Sequence, residues 1–204
     1  MSAMLSDEDI SKAFKQALQI GAESVVSQLG AVDGFNADPQ VHIPLPSQLQ
    51  SVKTLLGKAG LAGPVDDLEL ALNRAAEKAT PQARSLFLDA VNEMTFTDVQ
   101  QIYQGQQDAA TRYFQQRMTP DLKKAMQPVV EESLGQVGAL RLFDQVMSQY
   151  QSLPFVPNVT ADLTNHVLDR GMEGIFHYLA QQEAEIRKNP LKQSTELLKK
   201  VFAQ

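Results

Sequence analysis

Four imidazole and carboxylate side chains near the C-terminus have the spacing of a metal site. His166, Asp169, Glu173 and His177 are separated by 3, 4 and 4 residues, which places them on one face of a helix. Such groups on adjacent turns are typical zinc ligands. The apolar residues of the same helix fall on the opposite side, so the row is expected to face water. We therefore favour a solvated polar face and predict no metal site.

A second polar cluster lies in an alanine-rich helix. Asn73 and Glu77 are one helical turn apart and Arg74 adjoins them. These groups could bind a substrate, or they could form a structural network that includes an interhelical salt bridge to Asp108 or Glu131. A carboxylate without histidine, cysteine or metal ligands is too generic to indicate acid–base catalysis. We favour the structural network.

Sequence motifs that anchor catalysis are absent from the chain. It has no GxSxG elbow, phosphate-binding glycine loop, HExxH pair or EF-hand loop. It also has no cysteine, which excludes disulfides, thiolate zinc sites, iron–sulfur clusters and cysteine nucleophiles. We predict a protein that is not an enzyme and that needs no cofactor.

Charge and hydropathy argue against two further classes of protein, nonspecific nucleic-acid binders and proteins with a transmembrane helix. With 18 basic and 24 acidic residues the net charge is −6, which repels a phosphate backbone and argues against nonspecific nucleic-acid binding. No apolar run approaches the ~20 residues of a transmembrane helix. The first residues lack the basic and apolar regions of a secretory signal.

Composition and periodicity predict an all-α fold, because alanine, glutamine and leucine are abundant and aromatic residues make up only 6 %. We expect a single domain over 1–204, an irregular globular bundle of about nine helices. Its parts are an N-terminal helix over 6–30, an ordered connector over 31–46 and a helical body over 47–204. The last predicted helix covers 195–202.

Prolines mark the expected breaks between helices. Ile43-Pro44-Leu45-Pro46 and Leu153-Pro154-Phe155-Val156-Pro157 predict two extended connectors, and their residues Ile43, Leu45, Leu153 and Phe155 are expected to be buried. Thr80-Pro81 and Thr119-Pro120 predict helix starts, and Pro128 predicts a kink or a break. Gly171 and Gly174 predict close approach by another helix, or a bend.

The apolar side chains leave two interpretations open. The chain has seven methionines and nine phenylalanines, which line adaptable ligand pockets but also fill irregular cores. Five residues on predicted inward stripes are the pocket candidates: Phe87, Phe114, Met126, Phe143 and Met147.

Several short motifs, in order along the chain, carry a family resemblance. They are Ile43-Pro44-Leu45-Pro46, Asn73-Arg74-Ala75-Ala76-Glu77, Asp108-Ala109-Ala110-Thr111 with Tyr113-Phe114, Pro154-Phe155, and Leu197-Leu198-Lys199-Lys200-Val201-Phe202. Together they resemble the bacterial domain-of-unknown-function family 4197, DUF4197, from about Ala13 to Phe202. The resemblance implies an all-helical domain, usually made with an export or lipoprotein signal, and no established catalytic residues.

Two functions follow as expectations. The first is an envelope-associated protein, periplasmic or at the outer envelope, that binds a lipid-like ligand. The alternative is a protein-interaction or structural module that docks an envelope partner. The export signal implied by the resemblance is not found in this chain, so a cytoplasmic location stays open.

Overall fold

The computed structural model describes residues 7–188, and within them the chain is helical with no strand, which confirms the predicted all-α class. The described residues form eight α-helices: α1 (Asp7–Leu29), α2 (Ser47–Lys58), α3 (Gly63–Ala79), α4 (Ala83–Glu93), α5 (Phe96–Gln104), α6 (Ala109–Gln136), α7 (Ala139–Gln151) and α8 (Leu163–Lys188). The count of nine is not reproduced in this part of the chain, and the helix predicted over 195–202 lies outside it. No helix within 7–188 has the length and apolar content needed to cross a membrane.

The helices form two compact units. Of the described residues, unit 1 contains 7–28, 82–122 and 175–188, and unit 2 contains 29–81 and 123–174. Helices α6 and α8 each contribute one part to each unit.

Unit 1 has an aromatic core. The ring of Phe87 on α4 meets Phe114 on α6 edge to face, with centroids 5.5 Å apart, and meets Phe176 on α8 at 6.5 Å. All three are buried. Helices α1 and α8 are in contact at Gly21, where a Cβ atom would lie 3.4 Å from the side chain of Ile186, an ordinary contact distance. Edge-to-face rings add about 0.5–1.5 kcal/mol per pair beyond the area that they bury.

In unit 2, α7 packs on α3 and α2. In this unit the ring of Phe35, which belongs to the segment before α2, packs against the backbone of Gly174 on α8. A Cβ atom at position 174 would lie only 2.7 Å from that ring, so glycine is required there. The predicted close approach by another helix is therefore wrong at Gly174, where a non-helical segment makes the contact. At Gly171, Met126 of α6 and Ala76 of α3 lie at ordinary contact distance.

The helix start predicted at Thr119-Pro120 and the break predicted at Pro128 are both wrong. Helix α6 is continuous from Ala109 to Gln136. A proline inside a helix costs roughly 3 kcal/mol, but both prolines are exposed, where water can bond the carbonyl oxygens that they leave unpaired. A buried stripe with a regular spacing of four residues continues past them and offsets that cost: Phe114, Met118, Leu122, Met126 and Val130.

Thr80-Pro81 also differs from its predicted role. Residues Thr80–Gln82 form a short 3-10 turn, and α4 begins at Ala83 after Gln82 rather than after Thr80. Thr80 is fully buried, and its hydroxyl donates to the carbonyl oxygen of Ala76, 2.8 Å away. The side chain therefore satisfies the end of α3 instead of capping α4.

The two proline-containing segments differ in burial. Ile43 and Leu45 are buried as expected, whereas Leu153 is only half-buried. Phe155 is fully exposed, at 105 % of its reference area, so its predicted burial is wrong. Its backbone has φ of +60°, a strained conformation for a bulky side chain, which turns the ring outward between the flanking prolines.

Leu45→Ala should destabilise unit 2 by about 2–5 kcal/mol, because it leaves a cavity in a closed core. Phe155→Ala should change the free energy of unfolding by less than about 0.5 kcal/mol, since the ring contacts solvent. Urea denaturation of both variants checks this. A loss of more than 1 kcal/mol in Phe155→Ala would contradict the exposed position of that ring.

Candidate functional site

Three polar residues on α3 bind the backbone of the segment that precedes α2. Glu69, Asn73 and Glu77 are spaced four residues apart and so lie along one stripe of the helix. We call this stripe the α3 ladder. Its partners are main-chain groups between residues 35 and 45, which the segment itself cannot satisfy because it forms no helix.

Glu77 is the most buried carboxylate of the ladder, with 3 % of its area exposed. The backbone N–H groups of Phe35 and Asn36 each donate to one of its oxygens at 3.1 Å. Arg74 donates to the other oxygen at 2.7 Å and also to Asp33 at 2.8 Å. The hydrogen bond with Glu77 is the main cause that raises the pKa of Arg74. Hydrogen bonds from Asn36 and then Arg74 lower the pKa of Asp33.

Asn73 and Glu69 complete the ladder. The Asn73 amide accepts from the N–H of Ile43 and donates to its carbonyl oxygen, both at 2.8 Å. Glu69 accepts from the N–H of Leu45 at 3.2 Å and from Lys53 at 2.9 Å, and the ring of His42 lies 3.1 Å away. Burial alone would raise the pKa of Glu69, but the hydrogen bonds from Lys53, His42 and Leu45 outweigh it and the pKa is lowered.

The structure thus brings Asn73, Arg74 and Glu77 of the predicted polar network together. It places Asp108 in unit 1, where its carboxylate accepts from Arg112 at 2.8 Å. The anionic partner that Arg74 finds outside its own helix is Asp33. These groups bind the segment that precedes α2, and those hydrogen bonds occupy their polar atoms.

Unit 1 contains a second buried carboxylate, which the sequence analysis missed. Glu183 on α8 is 2 % exposed and accepts from the N–H of Ala110 at 2.9 Å and from the N–H and hydroxyl of Thr111 at 2.8 and 2.9 Å. A carboxylate at this end of α6 complements the helix dipole. Arg187 donates to Glu183 at 2.7 Å and to the carbonyl oxygen of Ile102 at 2.8 Å. The i,i+4 pair Glu183–Arg187 was the available sequence signal, but most such pairs are exposed.

The five pocket candidates lie in two different cores. Phe87 and Phe114 belong to unit 1 and are in ring contact; Met126, Phe143 and Met147 belong to unit 2. All are buried except Phe143, which is half-buried. The cavity beside Phe87 measures only about 10 Å³, close to the lower limit for a single water.

The four side chains first considered as metal ligands, His166, Asp169, Glu173 and His177, each lie beside a different polar group. Nε2 of His166 lies 2.7 Å from the carbonyl oxygen of Pro44, and Asp169 accepts from Lys123 at 3.0 Å. Glu173 accepts from Arg170 at 3.0 Å, and the ring of His177 lies 2.9 Å from the Gln181 amide. Within residues 7–188 no three histidine, cysteine or acidic side chains are grouped closely enough to hold a metal ion.

An open cleft lies between α1 and the start of α5 in unit 1. It measures about 510 Å³ and is lined by Glu8, Ser11, Lys12, Lys15 and Phe96. We call it the α1–α5 cleft. Its volume falls in the range of roughly 300–1,000 Å³ that is usual for small-molecule sites. The ring of Phe96 is 43 % exposed.

Lysines and carboxylates lie side by side at the α1–α5 cleft. Lys12 pairs with Glu8 at 2.8 Å, and this hydrogen bond raises the pKa of Lys12. Lys15 donates to the carbonyl oxygen of Asn92 at 3.4 Å. Asp9 also attracts Lys12, and Asp98 and Lys15 attract each other, so carboxylates balance the two ammonium groups of the cleft.

A second depression, the α5–α6 groove, is neutral. It measures about 290 Å³, and its polar lining residues include Gln101, Gln106, Arg112, Tyr113 and Gln116. The charge of Arg112 is balanced by Asp108. Burial raises the pKa of Tyr113, and its hydroxyl has no hydrogen-bond partner among the described residues.

Glu77→Gln should destabilise the protein by about 2–4 kcal/mol, because an amide N–H₂ would face Arg74 in a buried position. Urea denaturation measures the loss, and hydrogen exchange at the amides of Phe35 and Asn36 should accelerate. Glu173→Gln is the matched control in an exposed ion pair and should cost less than about 1 kcal/mol. Equal effects of the two substitutions would refute the role given to Glu77.

Comparison with known proteins gives a family and no characterised relative. Searches of curated proteins and of solved structures return no significant match. The sequence model of DUF4197, described as a protein of unknown function, matches residues 4–203. That match covers almost the whole chain and includes the α3 ladder and the Glu183 cluster. The chain belongs to the DUF4197 family.

Proposed function

We propose that this chain is a non-enzymatic, envelope-associated protein that binds a lipid-like ligand. The observation that supports binding is the α1–α5 cleft, whose volume of about 510 Å³ suits a small apolar molecule. The envelope association rests on the family resemblance and its usual export signal.

The ligand site differs from the five candidates named from the sequence. Phe87 and Phe114 contact each other in a filled core, and the space beside Phe87 is about 10 Å³. A ligand there would have to displace packed rings, which costs several kcal/mol. The cleft needs no such displacement, because it is already open.

The proposal that the protein is not an enzyme is supported by the hydrogen bonds of its two buried glutamates, which are the strongest candidates for acid–base catalysis. Glu77 and Glu183 accept backbone N–H groups and arginine donors, and each is buried. A carboxylate that holds the backbone in this way is not positioned to exchange protons with a substrate.

The second candidate function is docking of a protein partner, and the exposure of Phe155 favours it. The ring is fully exposed on a strained backbone, and no charged residue lies between Asp144 and Asp162. Exposed aromatic rings are common anchors at protein interfaces. The flanking carboxylates disfavour an anionic membrane surface, so the partner would offer an uncharged apolar pocket.

Lipid binding predicts that organic extraction of the native protein yields a lipid. It also predicts that the melting temperature rises when a fatty acid or lysophospholipid is added, because a ligand that binds only the folded state stabilises it. Mass spectrometry of the extract and a thermal-shift series measure both. An empty extract together with an unchanged melting temperature for fatty acids, phospholipids and sterols would end the lipid proposal.

Partner docking predicts that a photo-cross-linking residue at position 155 captures one protein in cells and that the same residue at position 140 does not. Leu140 is the control because it is also an exposed large apolar side chain. The purified partner should then bind Phe155→Ala about tenfold or more weakly than wild type, the effect of losing an anchor worth ~1.4 kcal/mol. Equal affinity for the two proteins would exclude docking through Phe155.

A further inference from the structure

The imidazole ring of His42 lies between two hydrogen-bond acceptors. Its Nδ1 atom is 2.9 Å from the carbonyl oxygen of Asn36, and its Nε2 atom is 3.1 Å from a carboxylate oxygen of Glu69. A carbonyl oxygen carries no proton, so the ring nitrogen that faces it has to donate. His42 belongs to the segment before α2 and Glu69 belongs to α3, so the ring connects the two.

The carboxylate of Glu69 also acts only as an acceptor. Burial raises the pKa of Glu69, but the hydrogen bonds from Lys53, His42 and Leu45 lower it by more, and the net shift is downward. The oxygen that faces Nε2 therefore has no proton to donate near neutral pH. The imidazolium ion has an N–H at both ring nitrogens and can make both bonds, whereas neutral imidazole has one N–H and loses one of them.

The charged groups near the ring come from α3, from α2 and from the segment itself. Lys53 on α2 donates to the other oxygen of Glu69 at 2.9 Å, and its side chain is 38 % exposed, so water screens its charge. In the segment, the carbonyl oxygen of Asp38 accepts from the N–H of His42 at 2.8 Å, so its carboxylate belongs to the same turn. Lys53 and Asp38 have opposite charges, and their effects on an imidazolium oppose each other. The two direct hydrogen bonds of the ring decide which form the fold favours.

The segment that His42 attaches contains a large part of the apolar surface that unit 2 buries. Phe35, Ile43 and Leu45 are each at most 2 % exposed. Glu77 and Asn73 hold the same segment through its backbone near Phe35 and at Ile43, and the ring of His42 adds an attachment between those two points. Loss of that attachment loosens the turn over residues 36–42.

We infer that His42 is a proton-dependent attachment point, which binds the segment before α2 to α3 as an imidazolium and loses one of its two hydrogen bonds with its proton. The folded chain then binds the ring proton more tightly than the unfolded chain. Its stabilising effect is fully present at low pH and is lost as pH rises through the range where histidine deprotonates. Histidine is the only side chain that ordinarily changes charge between about pH 5 and 8. This inference is independent of any ligand.

The test is hydrogen exchange of the full chain by NMR at about pH 5.5 and about pH 8, with rates corrected for the intrinsic pH dependence of exchange. The amides of Val41 and His42, which both bond the carbonyl oxygen of Asp38, report the turn. Their protection should fall about three- to tenfold at the higher pH, the effect of one lost hydrogen bond. The amides of Ala110 and Thr111, bound by Glu183 in unit 1, should keep their protection.

Three variants assign the change to the ring. His42→Gln removes the titrating group and should give equal protection at both pH values. Glu69→Gln should do the same with the ring present, because its amide can donate to the bare Nε2 of neutral imidazole while Nδ1–H donates to Asn36. His166→Gln is the matched control. The Nε2 atom of His166 lies 2.7 Å from the carbonyl oxygen of Pro44 in the same segment, a bond that neutral imidazole can make, so this variant should keep the wild-type pH dependence.

Circular dichroism checks that each variant is folded. Equal protection of the Val41 and His42 amides of wild type at both pH values overturns the inference. A pH dependence that persists in His42→Gln, or that disappears in His166→Gln, also overturns it. If His42→Gln does not fold, Glu69→Gln decides, because a pH dependence that is unchanged in that variant shows that the carboxylate does not select the imidazolium.

Discussion

The carboxylate of Glu77 fixes the part of the fold that has no regular structure of its own. Residues 30–46 form no helix, and their turns satisfy only some of their main-chain groups, so the others need partners from elsewhere. Glu77 supplies an acceptor to two successive N–H groups, and Arg74 neutralises it from the other side. Hydrogen bonds to a charged group contribute about 1.5–3 kcal/mol each, more than neutral ones. A buried charge with fewer partners would instead destabilise the unit.

Other features of unit 2 depend on that attachment. Once Phe35 is held through its N–H, its ring can pack against Gly174, where a side chain would clash. Asn73 pairs with the backbone of Ile43 in the same way, and the side chains of Ile43 and Leu45 are withdrawn from water. A similar arrangement occurs in unit 1, where the carboxylate of Glu183 accepts hydrogen bonds from N–H groups in the first turn of α6. In both units a buried glutamate and an arginine connect a helix to backbone N–H groups distant in sequence.

Local sequence signals predicted the helices but not these connections. The helix predicted over 6–30 ends within one residue of the observed end of α1 at Leu29, because apolar periodicity and a terminal glycine are local properties of the helix itself. Pro120 and Pro128 were misread because their cost is local, whereas the buried stripe of α6 that outweighs it is tertiary. The partner of Arg74 could not be found either: Asp33 and Asp108 are chemically equal candidates, and only the fold distinguishes them. Phe155 was expected to be buried from its apolar neighbours, but its backbone turns the ring outward.

The sequence motifs gave little functional information because their residues form hydrogen bonds inside the protein and not a surface site. The Asn73-Arg74-Ala75-Ala76-Glu77 and Asp108-Ala109-Ala110-Thr111 motifs lie where backbone groups are bound, so their residue types are fixed by structural hydrogen bonds. No such motif contains Lys12, Lys15 or Phe96. Their contacts lie at the surface and contribute little to the two cores. An exposed ring and two long cationic side chains gain little for the folded state by facing a common cleft. The exposed ring of Phe96 gains when an apolar molecule covers it and withdraws it from water, which is the reason to look for function at this surface.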